Sequence, residues 1–308
     1  MDTAQNLSGN LVGRTGSGSF ISRTILVAFC LAAALTYRAS VSLIPGGATE
    51  DAFVLGLAAL LLAGAVAARR SDHLRQYWQI PFAFFVFVVA GILGDGNISP
   101  LVHAFGSGVL HQTPTAHNPF GATASATVVA QLFGTLALVL PVILLTLASG
   151  GDLRSIFIDR TRGRWPLIVG VAAFAVIFLL AGRGRTASFF PTHGAVTFSR
   201  FIGLAPALLI LVLMNGLREE LWFRGLFLKK YATFLSPWSA NILAAVIFTS
   251  FHVQVQYSAS ILPFLGITLL SGLFLGWLMQ RSESLLAPVL FHAATDIPIF
   301  LVYLSFST

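Results

Sequence analysis

Charge is what this chain of 308 residues has least of: only 9% are Asp, Glu, Lys or Arg, against about 25% in an ordinary soluble domain. So few charges cannot cover the surface of a water-soluble globule, and a soluble fold is excluded. Cysteine is nearly absent as well. The single Cys30 cannot form an internal disulfide, so it reports no redox compartment, and a multi-cysteine metal site is excluded. Low complexity is confined to a Gly/Ser-rich start at residues 8–19, and no internal repeat of the kind that marks inverted-repeat transporters is visible. What the chain has in abundance is apolar: 56% hydrophobic residues, including 27 Phe, with 28 Gly, the composition of helices that live in lipid. The formal net charge of +7 would suit nucleic acid if the basic residues formed a patch. They fall instead in short loops between apolar runs, where they report topology, so no nucleic-acid partner is expected.

Apolar runs of membrane-spanning character lie near 24–37, 52–68, 79–94, 127–148, 166–182, 203–217, 237–252, 261–279 and 285–304. The expectation is an all-α, polytopic bundle of eight or nine transmembrane helices, multi-pass in a lipid bilayer. The first run has the length of a signal-peptide core. However, about 20 residues precede it and Tyr37-Arg38 follows where small residues belong, so it reads as a membrane helix. A nine-span layout with a cytoplasmic N-terminus gathers fourteen of the 18 Lys and Arg on the cytoplasmic side, as the positive-inside rule requires. Merging or splitting 203–231 changes the parity. The segment from Gly94 to Ala126, with His103, His111 and His117 but no Lys or Arg, reads as an external polar loop. Its Asn97-Ile98-Ser99 triplet fits a glycosylation acceptor but is too short a pattern to carry weight. The basic loop 149–165, in which Asp152 to Arg164 reads as solvated or interfacial, divides the chain. Residues 1–150 are N-terminal membrane helices of unknown role without intramembrane charge, and residues 151–308 hold several intramembrane charges and hence the chemistry.

Asp, Lys or Arg at the centre of a membrane helix costs about 2.5–3.5 kcal/mol on insertion scales, so such residues need a reason. Here Glu219, Glu220 and Arg224 end one apolar run, His252 ends another, and His292 with Asp296 lies inside the last. Glu220 and Arg224 are i and i+4, on one face and able to pair as carboxylate and guanidinium. That leaves Glu219, about 100° round the helix, for another task. His292 and Asp296 repeat the interval, as do Phe248 and His252. Each alone has a plain alternative: the Arg/Lys/Glu cluster as a cytoplasmic anchor with exposed partners, His252 as an interfacial histidine, His292 and Asp296 as interhelical glue. The Gly272-x-x-x-Gly276 step reads as close helix packing.

Two kinds of chemistry suit two histidines and a free glutamate around a wet cavity. In the first, Glu219 takes a proton from a water that His252 holds, and His292 with Asp296 stabilises the oxyanion, with no cofactor. In the second, Glu219, His252 and His292 ligate zinc, although no His-Glu-x-x-His segment is present.

Glu219-Glu220-Leu221-Trp222-Phe223-Arg224, Phe248-Thr249-Ser250-Phe251-His252 and His292-Ala293-Ala294-Thr295-Asp296 together resemble, in order, the Glu-Glu-x-x-x-Arg, Phe-x-x-x-His and His-x-x-x-Asn/Asp motifs of the CPBP intramembrane proteases. That family includes type II CAAX prenyl endopeptidases and bacterial Abi proteins. The resemblance covers roughly 165–304 and implies a protease domain in 151–308. It implies Glu219 as general base, His252 as its partner on water, His292 with Asp296 as the oxyanion site, and Glu220, Arg224 and Phe248 in support. It also implies a membrane protein or lipidated, CAAX-type peptide as substrate, cut near a cytoplasm-facing mouth. Asp296 stands where the compared endopeptidases carry Asn, which leaves the substrate open. The rival readings are an ion- or proton-coupled transporter, for which intramembrane Glu, His and Asp are equally natural, and a non-catalytic scaffold or immunity member of the same family.

Overall fold

The structure is a computed structural model that describes residues 20–44, 47–95, 99–111, 123–186, 190, 192–253 and 261–306. The described residues fold into helices and turns without strand: α1 Phe20–Leu43, α2 Ala48–Arg70, α3 Gln79–Gly94, α4 Pro100–Gly108, α5 Ala124–Ala148, α6 Arg164–Gly182, α7 Phe198–Glu219, α8 Leu228–Tyr231, α9 Pro237–Phe251, α10 Ile261–Ser282 and α11 Leu286–Ser305. Eight stretches among the described residues are long and apolar enough to cross a membrane, and one of them extends from Phe198 to Tyr231. The ninth expected span, α9, has only 15 residues, about 22 Å of helix against a hydrocarbon core of about 30 Å. Large apolar side chains such as Leu60, Leu179 and Leu270 are exposed, as lipid-facing residues should be.

Three expectations change at this point. The run expected to end near 217 continues through a π-helical turn at Glu220–Gly225 into α8, so Glu219, Glu220 and Arg224 lie within the stretch and not at its end. The segment expected as a loop after Gly94 contains the short helix α4, nine residues long and far too short to span. Asn97, Ile98 and His117 lie outside the described residues. Finally, the segment 152–164 is not simply solvated. Ile156 and Phe157 are buried, Phe157 accepts a backbone hydrogen bond from Leu285, and Arg162 donates one to Ser282, which seats the loop on the turn between α10 and α11.

Two apolar clusters hold the bundle together. One joins α1, α2, α3, α5, the 156–157 segment, the π turn, α8 and α9, with Met279 of α10 and Val289 of α11, and crosses residue 150 freely. Its centre is aromatic: Phe87 stacks on Trp222 with centroids 4.5 Å apart, and the Trp222 indole donates to the Phe87 carbonyl at 2.8 Å. The other cluster joins α6, α7 and α11. Close approaches depend on missing side chains. A Cβ on Gly94 would lie 2.3 Å from the Leu138 backbone nitrogen on α5, whereas one on Gly56 of α2 would meet nothing within 4 Å. Gly94→Ala is therefore expected to lower stability by about 1–3 kcal/mol, read as a drop in thermal midpoint in detergent. Gly56→Ala should show no drop.

Candidate active site

The π turn sits on the first motif. Its signature is the Leu226 N–H bonded to the Leu221 carbonyl, five residues back, at 3.0 Å. Such turns are rare and gather at functional sites. Leu221, Trp222 and Phe223 inside it are buried in the aromatic cluster, and the Ile156 carbonyl lies 3.1 Å from where a Gly225 Cβ would be. The turn is thus wedged from outside its own helix.

Within the turn, Glu220 and Arg224 are both fully buried and pair at 2.6 Å, Arg224 Nη1 donating to Glu220 Oε1. The exposed-anchor alternative fails on that burial. The same Oε1 accepts from His292 Nδ1 on α11 at 2.7 Å. A carboxylate oxygen between guanidinium and imidazole donors is a strong arrangement, and it fixes His292 with Nε2 pointing inward. The Arg224 guanidinium also lies over the Phe248 ring at 4.2 Å. Phe248 in turn stands 4.4 Å from the His252 ring, centroid to centroid, and its carbonyl faces His252 Nδ1 at 2.9 Å. A carbonyl only accepts, so Nδ1 carries the hydrogen and Nε2 is the nitrogen left to face the site.

Glu219, with 16% of its side chain exposed, turns to the other side as its position on the helix requires. Its Oε2 is 3.6 Å from His292 Nε2 and 4.0 Å from His252 Nε2, and it makes no hydrogen bond. Asp296 stands beside them with Oδ2 at 3.7 Å from His292 Nε2. This i, i+4 neighbour does not hydrogen-bond to the ring; its oxygen accepts instead from Asn215 Nδ2 at 2.9 Å. The structure therefore brings Glu219, His252, His292 and Asp296 together, with Glu220, Arg224 and Phe248 behind them.

Three neighbours escaped the sequence reading. Asn215 also donates to Glu219 Oε1 at 3.1 Å, Arg218 donates to Asn215 Oδ1 at 3.0 Å, and Gln131 of α5 approaches the same oxygen at 3.5 Å. The available signal was a lone Asn in an apolar run, four residues before Glu219. For Gln131 nothing local pointed there.

Small residues allow the assembly. A Cβ on Gly216 would meet the Val289 carbonyl at 2.9 Å, so α7 touches α11 beside His292, and one on Gly272 would press the Arg224 guanidinium at 3.3 Å. The Gly272/Gly276 step does pack α10 on α9, against Ala245 and Asn241. Among the described residues no group of three or more His, Cys, Asp or Glu is arranged to hold a metal ion, so no chemical step is derived through zinc. A cavity of about 680 Å³ lined by Phe178, Arg183, Val196 and Phe201 opens at the other end of α6 and α7. It contains none of these residues.

Carboxylates and imidazoles gathered inside a polytopic helical bundle define an intramembrane site of the polar kind that enzymes and transporters share. Residues 201–298, which contain all three motifs, match the family model described as Rce1-like, type II CAAX prenyl endopeptidase. The match is to the family that the motifs resemble, and it covers the stretch that carries them, just under a third of the chain. Neither the search of curated proteins nor that of solved structures gives a match.

The burial contrast between the adjacent glutamates gives a stability test. Arg224→Gln strips Glu220 of its cation in a fully buried position and is expected to cost about 3–5 kcal/mol. Glu219→Gln keeps an oxygen for Asn215 and should stay within about 1 kcal/mol of the parent. Thermal unfolding in micelles with size-exclusion profiles measures both.

Proposed function

We propose that the protein hydrolyses a peptide bond near the membrane surface, in a lipidated, CAAX-type tail, with Glu219 as general base. The observation that carries this reading is the unbonded Glu219 Oε2 facing His252 Nε2 at 4.0 Å. That spacing suits one water bonded to both at about 2.8 Å each. Such a water gives one hydrogen to the carboxylate and one to the imidazole, and its lone pairs point away, toward a substrate carbonyl. Glu219 then takes the water's proton as the oxygen attacks. His292, held through Nδ1 by Glu220, offers Nε2–H in its doubly protonated form to the oxyanion. The proton on Glu219 passes to the leaving amine, which restores the carboxylate. Asp296, as an acceptor from Asn215, orients and does not donate through that oxygen.

A lipid anchor accounts for a site inside a bilayer: the chain enters between helices while the peptide stays near an aqueous mouth. With the orientation given by the basic loops, that mouth opens to the cytoplasm. The test is mass spectrometry of farnesylated and unmodified Cys-containing tail peptides incubated with protein in liposomes. Cleavage of the farnesylated peptide is expected, falling about 10²- to 10⁴-fold in Glu219→Gln and persisting with a zinc chelator. Chelator-sensitive cleavage restored by zinc would replace this mechanism with the metal one. Folded protein inert toward every peptide would overturn the CAAX substrate and return the transporter and scaffold readings to the front.

A further inference from the structure

Asn215 is 8% exposed and spends its whole hydrogen-bonding capacity inside the site. Its two N–H groups go to Glu219 Oε1 at 3.1 Å and Asp296 Oδ2 at 2.9 Å, and its oxygen receives Arg218 at 3.0 Å and Gln131 at 3.5 Å. The direction of this amide is not free. Carboxylates only accept and a guanidinium only donates. Turned over, the amide would set its oxygen against two carboxylates and its NH2 against Arg218. One orientation satisfies all four neighbours.

We propose that Asn215 is a positioning residue of the hydrolytic site, and that Gln131, through it, makes α5 of the N-terminal half part of that site. The inference rests on the protease reading of Glu219 above. By binding Oε1, Asn215 determines which Glu219 oxygen stays unbonded, and that oxygen is the one facing both histidines. By putting one N–H on each of Glu219 and Asp296, it also lets two carboxylates share one corner of the site without an unscreened repulsion. Arg218 and Gln131 restrict the amide's rotation, and with it the carboxylate's aim. Gln131 acts through Asn215, whereas Arg218 Nη2 also stands 3.9 Å from Glu219 Oε1 and faces that oxygen directly.

The test compares Asn215→Ala, the near-isosteric Asn215→Asp, Gln131→Ala and the double Asn215→Ala/Gln131→Ala with the parent, in liposomes, on the peptide the parent cleaves. Asn215→Ala is expected to lower kcat about 10- to 100-fold with KM within about twofold. Asn215→Asp should do at least as much while keeping the shape of the side chain. Gln131→Ala is expected to lower kcat a few-fold, and the double variant should be no worse than Asn215→Ala alone, because a residue acting through another adds nothing once that other is gone. A purely structural role would lower the amount of folded protein and leave kcat per folded molecule intact. Unchanged kcat in Asn215→Asp, or losses that multiply in the double variant, would overturn the proposal.

An infrared readout does not depend on turnover. The Glu219 carboxyl band, located by subtracting the Glu219→Gln spectrum, is expected to shift in Asn215→Asp and less in Gln131→Ala. If the band does not shift, Asn215 does not hold Glu219, whether or not any peptide is cleaved. If it shifts while the parent is inert, the positioning stands and the protease reading fails.

Discussion

Everything at the centre of this bundle depends on one carboxylate oxygen, Glu220 Oε1, which receives both Arg224 and His292 with no solvent exposure. Removing two charges from water costs several kcal/mol each, and their attraction offsets this only when geometry and further hydrogen bonds are good. Well-packed apolar residues often do as well for stability alone. The pair's position is more informative than its strength: it ties the π turn to α11 and leaves His292 a single orientation. Once Glu220 faces α11, the helix geometry turns Glu219 toward the space between α9 and α11. Glu219 is aimed by its neighbour's burial.

That arrangement needs backbones closer than ordinary side chains permit. Gly216 lets α7 approach the start of α11, and Gly272 gives the Arg224 guanidinium its room. In lipid, where helix association gains little from apolar burial, close packing and interhelical hydrogen bonds carry more of the energy. The two purposes coincide here, because the contacts that hold the helices together also bring their polar groups within 3–4 Å of one another.

Much of this was legible in the sequence, and the remainder was hidden for physical reasons. The spans follow from hydropathy, and the Glu220–Arg224 pair from its i, i+4 spacing, because both are local properties of a helix. The π turn could not be read, since a five-residue hydrogen bond in place of a four-residue one depends on what wedges it, here Ile156, Phe87 and their neighbours far away in the chain. The hydrogen-bond partner of Asp296 was hidden for a related reason. Spacing favoured His292, but Asn215 on another helix offers a better hydrogen bond, and tertiary contact overrides local register. In the sequence Gln131 is one polar residue in an apolar run. Only the fold shows that it is buried beside Asn215.

The N-terminal helices acquire a physical role from the same observation. A π turn spends backbone geometry to present its residues, and its widened register needs support that its own helix cannot give. Here the support comes from α3: the Phe87 ring stacks on Trp222 and the Phe87 carbonyl accepts the indole N–H, while Tyr37 of α1 packs edge-on to the same indole. Trp222 lies between Glu220 and Arg224 in sequence, so fixing its ring fixes the turn that holds this pair directly after Glu219. Gln131 of α5 reaches the opposite side of the site through Asn215. Among the described residues, the first half of the chain contributes no buried charge to the cluster. Its contribution is to hold, from two directions, the backbone and the amide on which the charges of the second half are aligned.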